Sequence, residues 1–227
     1  MSEIKKRKNL AWPIIWWTLA FSLGYAILRY HIAGTTPWKD LPFFILNKAI
    51  SMSSLILLTI NFLLGPLQNI GANLSNDLMR SRRLIGIVAF LQVFVHVIMS
   101  FMVFNPRVFA RFFEEDGTIN LITGISMVTG VFAFVLLWMY NVSFNSNFRK
   151  DKDLLRWINS RNVILTGMIL AGAHLVFMGY KGWMTPGKWY WGLPPISLVS
   201  FAVFAIGFIV NIFGRKNPER WAEIEEE

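Results

Sequence analysis

The segment LIGIVAFLQVFVHVIMSFMVF, residues 84–104, decides the fold class of this chain. It runs for 21 residues without an Asp, Glu, Lys or Arg, and a helix needs about 20 apolar residues to cross a bilayer. Five other stretches of similar length carry at most one charge each. The six stretches are Ala11–Tyr30, Phe43–Leu64, Leu84–Phe104, Ile119–Tyr140, Val163–Gly182 and Leu193–Phe213. The sequence therefore predicts an all-α integral membrane protein with six transmembrane helices in one bundle.

The composition of the whole chain agrees with this prediction. Of 227 residues, 55% are hydrophobic and 15% are charged, whereas about a quarter of a soluble domain is charged. The 22 Lys and Arg exceed the 13 Asp and Glu by nine. These basic residues lie between apolar stretches, so we assign them to membrane-protein loops and expect no nucleic-acid partner. The chain has no Cys, which excludes disulfides, iron–sulfur clusters and covalently attached c-type haem.

The distribution of basic residues predicts the orientation of the bundle. We divide the chain into a basic N-terminus (1–10), a transmembrane domain (11–213) and a tail (214–227). With the N-terminus inside, 15 of the 22 Lys and Arg fall on the inner side. Cytoplasmic loops carry such an excess, so we expect both termini to be cytoplasmic. The apolar connection Pro106–Phe113 is expected to lie along the outer interface.

Two of the three histidines fall inside predicted spans, His96 in the third and His174 in the fifth. Ionisable groups are expensive in hydrocarbon, so they usually face the bundle interior and have a partner. His96 follows Leu84 by twelve residues and His174 follows Val163 by eleven. At 1.5 Å per residue, both lie about 17–18 Å from the inner end of their helices. Because these two helices run in the same direction, we expect both imidazoles at one level.

A depth-matched pair of histidines suits a haem iron with two axial ligands. The iron needs one neutral imidazole nitrogen on each face of the macrocycle, and the macrocycle needs a slot between helices. Small residues occur at helical spacing before each histidine and would leave such a slot. They are Gly86 and Ala89 on the third helix, and Gly167 and Ala171 on the fifth.

The same pattern has a structural interpretation. Small residues also allow two helices to pack closely, and each histidine would then be a hydrogen-bonded core residue. A zinc site is disfavoured, because no third Asp, Glu or His lies at that depth. The third histidine, His31, follows the first span and is expected at the interface.

Two short motifs resemble those of the ferric reductase-like transmembrane domain family. The segment Arg82-Arg83-Leu84-Ile85-Gly86, followed by His96, resembles the third helix of that family. Trp157, Arg161 and His174 resemble its fifth helix in their spacing. Within the family, the chain is most similar to the haem-binding membrane subunits that feed a periplasmic methionine sulfoxide reductase.

The resemblance spans roughly residues 41–213 and implies a function. It implies a redox subunit, rather than a stand-alone enzyme, that carries a non-covalent b-type haem between His96 and His174. Electrons would come from a cytoplasmic or quinol donor and pass to an acceptor protein on the outer side. A flavin is a further candidate cofactor or donor, although the sequence has no Gly-rich dinucleotide motif.

Arg83 and Arg161 mark a departure from the family, which commonly has a further histidine at the second of these places. A guanidinium stays protonated and cannot serve as an ordinary axial ligand, so we expect one haem per chain. The two arginines are expected to contact phospholipid headgroups. Alternatively, they bind an anionic group such as a haem propionate or a flavin phosphate.

Two other functional classes remain alternatives to a redox subunit. One is a haem-free membrane scaffold. The other is a small transporter. The sequence argues against it, because the spans contain no acidic residue, no pair of broken helices and no repeat.

The charge distribution gives the first testable prediction. Reporter fusions at both termini should read cytoplasmic, and a reporter inserted within residues 180–192 should read external, because 15 of the 22 basic residues then lie inside. Alkaline phosphatase and fluorescent-protein fusions measure the two sides independently. The opposite pattern would reverse the direction of electron flow that we expect.

Overall fold

The computed structural model describes residues 9–142, 152–158 and 160–214. These residues form seven α-helices joined by short 3-10 and π-helical turns. The helices are α1 (Ala11–Ala26), α2 (Leu46–Asn69), α3 (Asn76–Val103), α4 (Leu121–Val142), α5 (Lys152–Ile158), α6 (Arg161–Trp183) and α7 (Ile196–Phe213). Most of the predicted N-terminal segment and nearly all of the predicted tail lie outside the described residues.

Six of the helical segments are long and apolar enough to cross a membrane, as the sequence predicts. They are Ala11–Ile32, Trp38–Asn69, Asn76–Val103, Leu121–Val142, Arg161–Trp183 and Tyr190–Phe213. The first two and the last are longer than their α-helices, the last because it includes the 3-10 turn Tyr190–Gly192. Residues Ile27–Ile32 extend α1 as a π-helix, and the turns Trp38–Asp40 and Leu41–Ile45 precede α2. The orientation of the termini remains a prediction.

The start of α3 differs most from its predicted boundary. The helix begins at Asn76, eight residues before Leu84. Ser75 caps this end, since its hydroxyl accepts a hydrogen bond from the Leu78 amide at 3.3 Å, and Asp77 complements the helix dipole in the first turn. A search for apolar runs cannot detect these two polar turns. Arg83 therefore lies on the helix itself.

The helices pack in two groups around α2 and α6. α2 packs extensively against α1, α3 and α7, whereas α6 packs mainly against α4 and also contacts α7. The buried core between them includes Leu57, Ile85, Met168 and Phe204. Within the described residues, α3 and α6 are not among the closely packed pairs. The two helices that carry His96 and His174 thus both contact α4 but are not closely packed on each other.

Arg82 joins α3 to the end of α2. Pro66 lies inside α2, where it removes one backbone donor and disturbs the hydrogen-bond ladder. The Nε of Arg82 donates to the Asn61 carbonyl at 2.8 Å. Gly65 leaves room for this guanidinium, because a Cβ at that position would lie 3.1 Å from Nη1 of Arg82. Arg82 is therefore a structural residue of the α2–α3 contact.

The connection between α3 and α4 folds back on itself. Its 3-10 turn, Ala110–Phe112, buries the Phe112 side chain. Phe113 and Ile119 form an isolated antiparallel bridge. Between them, hydrogen bonds from Thr118 hold the pKa of the Asp116 carboxyl below its usual value. This connection contains the stretch predicted to lie along the interface, a position that remains a prediction.

Two glycines determine how closely α7 approaches its neighbours. A Cβ on Gly207 would overlap the Cγ2 of Thr59 on α2. A Cβ on Gly172 of α6 would lie 2.7 Å from a ring carbon of Phe204 on α7. Small residues at such contacts let transmembrane helices pack backbone to backbone.

We predict that Gly207→Ala lowers the free energy of unfolding by about 1–3 kcal/mol, because the buried, β-branched Thr59 has no space to move. Gly24→Ala in α1 is the matched control, since no atom lies within 4 Å of its added methyl. It should be neutral or stabilising, because Ala has the higher helix propensity. Unfolding in detergent, followed by circular dichroism, measures both. Equal stability of the two variants would contradict this packing.

Candidate functional site

His96 belongs to a polar triad that joins α2 and α3. Its Nδ1 lies 2.7 Å from Oδ1 of Asn47 and 3.4 Å from the Ser100 hydroxyl. The Asn47 amide nitrogen donates to Ser100 at 3.1 Å, which directs the amide oxygen toward the imidazole. Because that oxygen accepts, Nδ1 of His96 carries the proton and Nε2 keeps its lone pair.

His174 has the same tautomer on α6. Its Nδ1 lies 2.8 Å from the Ser126 backbone carbonyl, and a carbonyl can only accept, so Nδ1 donates. The buried Ser126 hydroxyl donates to the His174 carbonyl at 3.0 Å. Gly130 places the α4 backbone directly against the ring, since a Cβ there would lie 2.7 Å from Nδ1. The imidazole is therefore held in one orientation between α4 and α6.

The two histidines are related in position as well as in tautomer. Phe94, two residues before His96, stacks on Phe134 of α4. Phe134 lies one turn after the Gly130 that contacts the His174 ring. In each ring an acceptor holds Nδ1–H, which is the usual arrangement of a metal-ligating histidine that coordinates through Nε2. Among the described residues, no group of three or more His, Cys, Asp or Glu could hold a metal ion. Two imidazoles alone suit the axial positions of a haem better than a zinc ion.

The small residues before the histidines have different environments on the two helices. On α3, Gly86 packs against the Asn61 side chain, whose atoms lie 3.2 Å from an added Cβ, and Ala89 is completely buried. Helix packing accounts for the size of both. On α6, Gly167 and Ala171 line an apolar cavity of about 30 Å³, which has room for one or two water molecules.

Arg83 and Arg161, which we expect to contact headgroups or, alternatively, an anionic group, lie near the beginnings of α3 and α6. The Nη2 of Arg161 donates to the Ile212 carbonyl at 3.1 Å and so satisfies a free carbonyl in the last turn of α7. Arg83 is exposed on α3. These observations favour a structural role for Arg161.

The remaining histidine, His31, lies apart from the pair in the π-helical extension of α1. Its Nδ1 lies 2.8 Å from the Thr36 carbonyl, and its ring centroid lies 3.8 Å from that of Trp38. His31 therefore stabilises the connection between α1 and α2.

Four polar residues contribute to the site without having been predicted as part of it, the first being Asn47, the partner of His96. Ser100 and Ser126 orient the imidazoles. Ser100 lies one turn after His96 on α3, and Ser126 lies on α4, which packs against the helix of His174. Only these positions could have indicated their role. Gln92 lies one turn before His96 on α3, and its buried Oε1 has no hydrogen-bond partner among the described residues. This unsatisfied acceptor is available to a water molecule or a ligand.

No family model matches this chain, and a comparison with curated proteins finds no significant match. The similarity to the ferric reductase-like family therefore rests on the short motifs around His96 and His174.

The triad gives a prediction that does not depend on any ligand. Asn47→Leu should lower the free energy of unfolding by about 1–3 kcal/mol, because it removes the partner of both His96 and Ser100 in a buried site. Asn211→Leu is the control, since Asn211 bonds only the Gly207 carbonyl of its own helix at 2.8 Å. Thermal unfolding in detergent measures both variants. A smaller loss for Asn47→Leu than for Asn211→Leu would contradict the role assigned to the triad.

Proposed function

We propose that this protein is a membrane electron-transfer subunit that binds one b-type haem through His96 and His174. One observation carries the proposal: two imidazoles on separate helices each have Nδ1 bound to an acceptor. Both Nε2 atoms therefore present lone pairs, and two neutral imidazoles are the ligand set of a low-spin haem.

The residues around the histidines fit this group in their chemistry. A haem iron with two such ligands accepts and releases one electron, and the protein orients and shields it. Asn47 and Ser126 would hold the ring orientations, and Gln92 would offer a buried acceptor to the ligand. The cavity beside Gly167 is lined by residues of α2, α4, α5, α6 and α7 and by neither histidine, so it is not the space in which this haem would bind.

The path of electrons follows from the expected orientation and from the family resemblance. A quinol or flavin donor would reduce the haem from the cytoplasmic side or from the lipid. A redox protein on the outer side would accept the electron. The chain would then work as the membrane subunit of an oxidoreductase system, located in a bacterial inner membrane.

The matched histidine variants test this proposal. The purified wild-type protein should show the Soret and α bands of a low-spin haem on reduction. His96→Ala and His174→Ala should each lose or severely alter these bands, because one axial ligand is missing. His31→Ala should retain them, since His31 bonds within its own connection. Normal bands in both span variants would refute the ligand assignment.

Haem stoichiometry tests the second part of the proposal. A haemochrome assay against protein concentration should give a ratio near one, because the guanidinium groups of Arg83 and Arg161 cannot bind iron. Arg161→His should leave that ratio unchanged, since Arg83 still occupies the corresponding place on α3. A ratio near two in the wild-type protein would refute a single haem.

A haem-free scaffold is the second candidate function. It is favoured by the packing of Gly86 against Asn61 and by the burial of Ala89, which explain the small residues of α3 without a cofactor. Protein that is folded and produced with an adequate haem supply, yet has no visible absorption, would support this alternative.

A further inference from the structure

Three cations gather at the end of the bundle that holds the α1–α2 connection. Arg29 lies in the π-helical extension of α1, Lys48 near the start of α2, and Arg111 in the 3-10 turn Ala110–Phe112. Arg29 is only 5% exposed, and Lys48 is half-buried. None of the three belongs to the histidine site.

Aromatic rings surround the Lys48 ammonium and connect it to Arg29. Nζ of Lys48 lies 4.7 Å from the Phe44 ring centroid, 5.2 Å from that of Tyr30 and 5.7 Å from that of Phe109. Cζ of Arg29 lies 4.8 Å from the same Tyr30 centroid. Lys48 and Arg29 therefore contact the same ring, that of Tyr30.

Arg111 approaches from the α3–α4 connection. Its Cζ lies 4.6 Å from the Phe112 ring centroid, and the Phe112 ring lies 5.4 Å from the Phe109 ring that contacts Lys48. Arg29 is anchored in turn, because its Nε donates to the Leu193 and Pro194 carbonyls at 3.2 and 2.8 Å. The backbone thus holds Arg29 in place while the rings position the other two cations.

Among the described residues, this cluster of positive charge has no counterion. The one ion pair between described residues joins Arg156 and Asp153, which lie on α5. Cation–π contacts provide only part of the stabilisation that water would give, and like charges in a medium of low dielectric repel strongly. An anion bound between the three groups would remove this repulsion.

We infer that this cluster binds phosphate, and that its occupant is the phosphate of an acidic phospholipid. Arg29 lies near the end of the apolar segment Ala11–Ile32. Lys48 lies ten residues into the segment Trp38–Asn69, but its ammonium reaches the Phe109 ring of the α3–α4 connection, at the end of the bundle. Phospholipid phosphates are the abundant anions at that depth. Lys and Arg bind phosphate through charge-assisted hydrogen bonds, and the surrounding aromatic rings suit the interfacial part of a lipid.

Native mass spectrometry and thermal unfolding of the full-length protein test the inference. Protein in detergent is titrated with phosphatidylglycerol or with phosphatidylcholine of the same acyl chains. Phosphatidylglycerol should bind more tightly and raise the Tm more. Lys48→Gln and Arg111→Gln should each weaken its binding about tenfold, the effect of losing one charge-assisted contact.

Lys39→Gln and Lys188→Gln are the matched controls. Both lysines are exposed at the same end of the bundle, so each variant removes one charge without touching the cluster. Their affinity for phosphatidylglycerol should equal that of the wild-type protein. Arg111 is itself exposed, so its variant remains informative if loss of Lys48 impairs folding.

Four results would overturn the inference. Equal binding of the two lipids would contradict a preference for acidic phospholipid. Equal binding of phosphatidylglycerol by cluster and control variants would show that the cluster is not its binding site. Displacement of phosphatidylglycerol by millimolar inorganic phosphate, with the same rise in Tm, would make free phosphate the occupant. Loss of haem from Lys48→Gln with unchanged lipid binding would assign the cluster to the haem, since Lys48 directly follows Asn47, the hydrogen-bond partner of His96. The lipid measurements need no haem, so they can succeed or fail independently of the proposed function.

Discussion

Polar groups inside a membrane must find their partners within the protein, and this constraint underlies the whole structure. With no water in the hydrocarbon core, backbone groups are satisfied by helices and polar side chains by contacts between helices. His96 bonds to Asn47 on α2, His174 to Ser126 on α4, and Arg29 to the carbonyl of Pro194 before α7. Each contact satisfies a buried group and also fixes the relative position of two helices.

The central position of α2 follows from the same constraint. At one end Asn47 holds the imidazole of His96, and at the other the Asn61 carbonyl accepts from Arg82. Between these contacts, Thr59 packs against Gly207 at the closest approach of α2 to α7. α2 is thus attached to α3 by polar contacts at two levels and to α7 by close packing. His174, on α6, packs against α4 instead.

The two proposed sites rest on different chemistry. The histidine pair presents two neutral nitrogen lone pairs in the interior, which suit a metal centre that exchanges single electrons. The cluster of Arg29, Lys48 and Arg111 presents positive charge among aromatic rings, which suits an anion at the membrane surface. A bound anionic lipid near Lys48 would also influence the electrostatic environment of His96, so the two sites would be linked through charge.

The sequence by itself determined the six apolar helices and singled out His96 and His174, because apolar length and the cost of an intramembrane imidazole can be counted along the chain. It could not place the polar start of α3, where the Ser75 cap replaces hydrophobicity as the signal. The partners of the histidines, the packing of Gly86 against Asn61 and the gathering of three cations required the tertiary structure. They depend on the rotation of each helix about its axis and on which helices are neighbours, and packing between residues distant in sequence decides both.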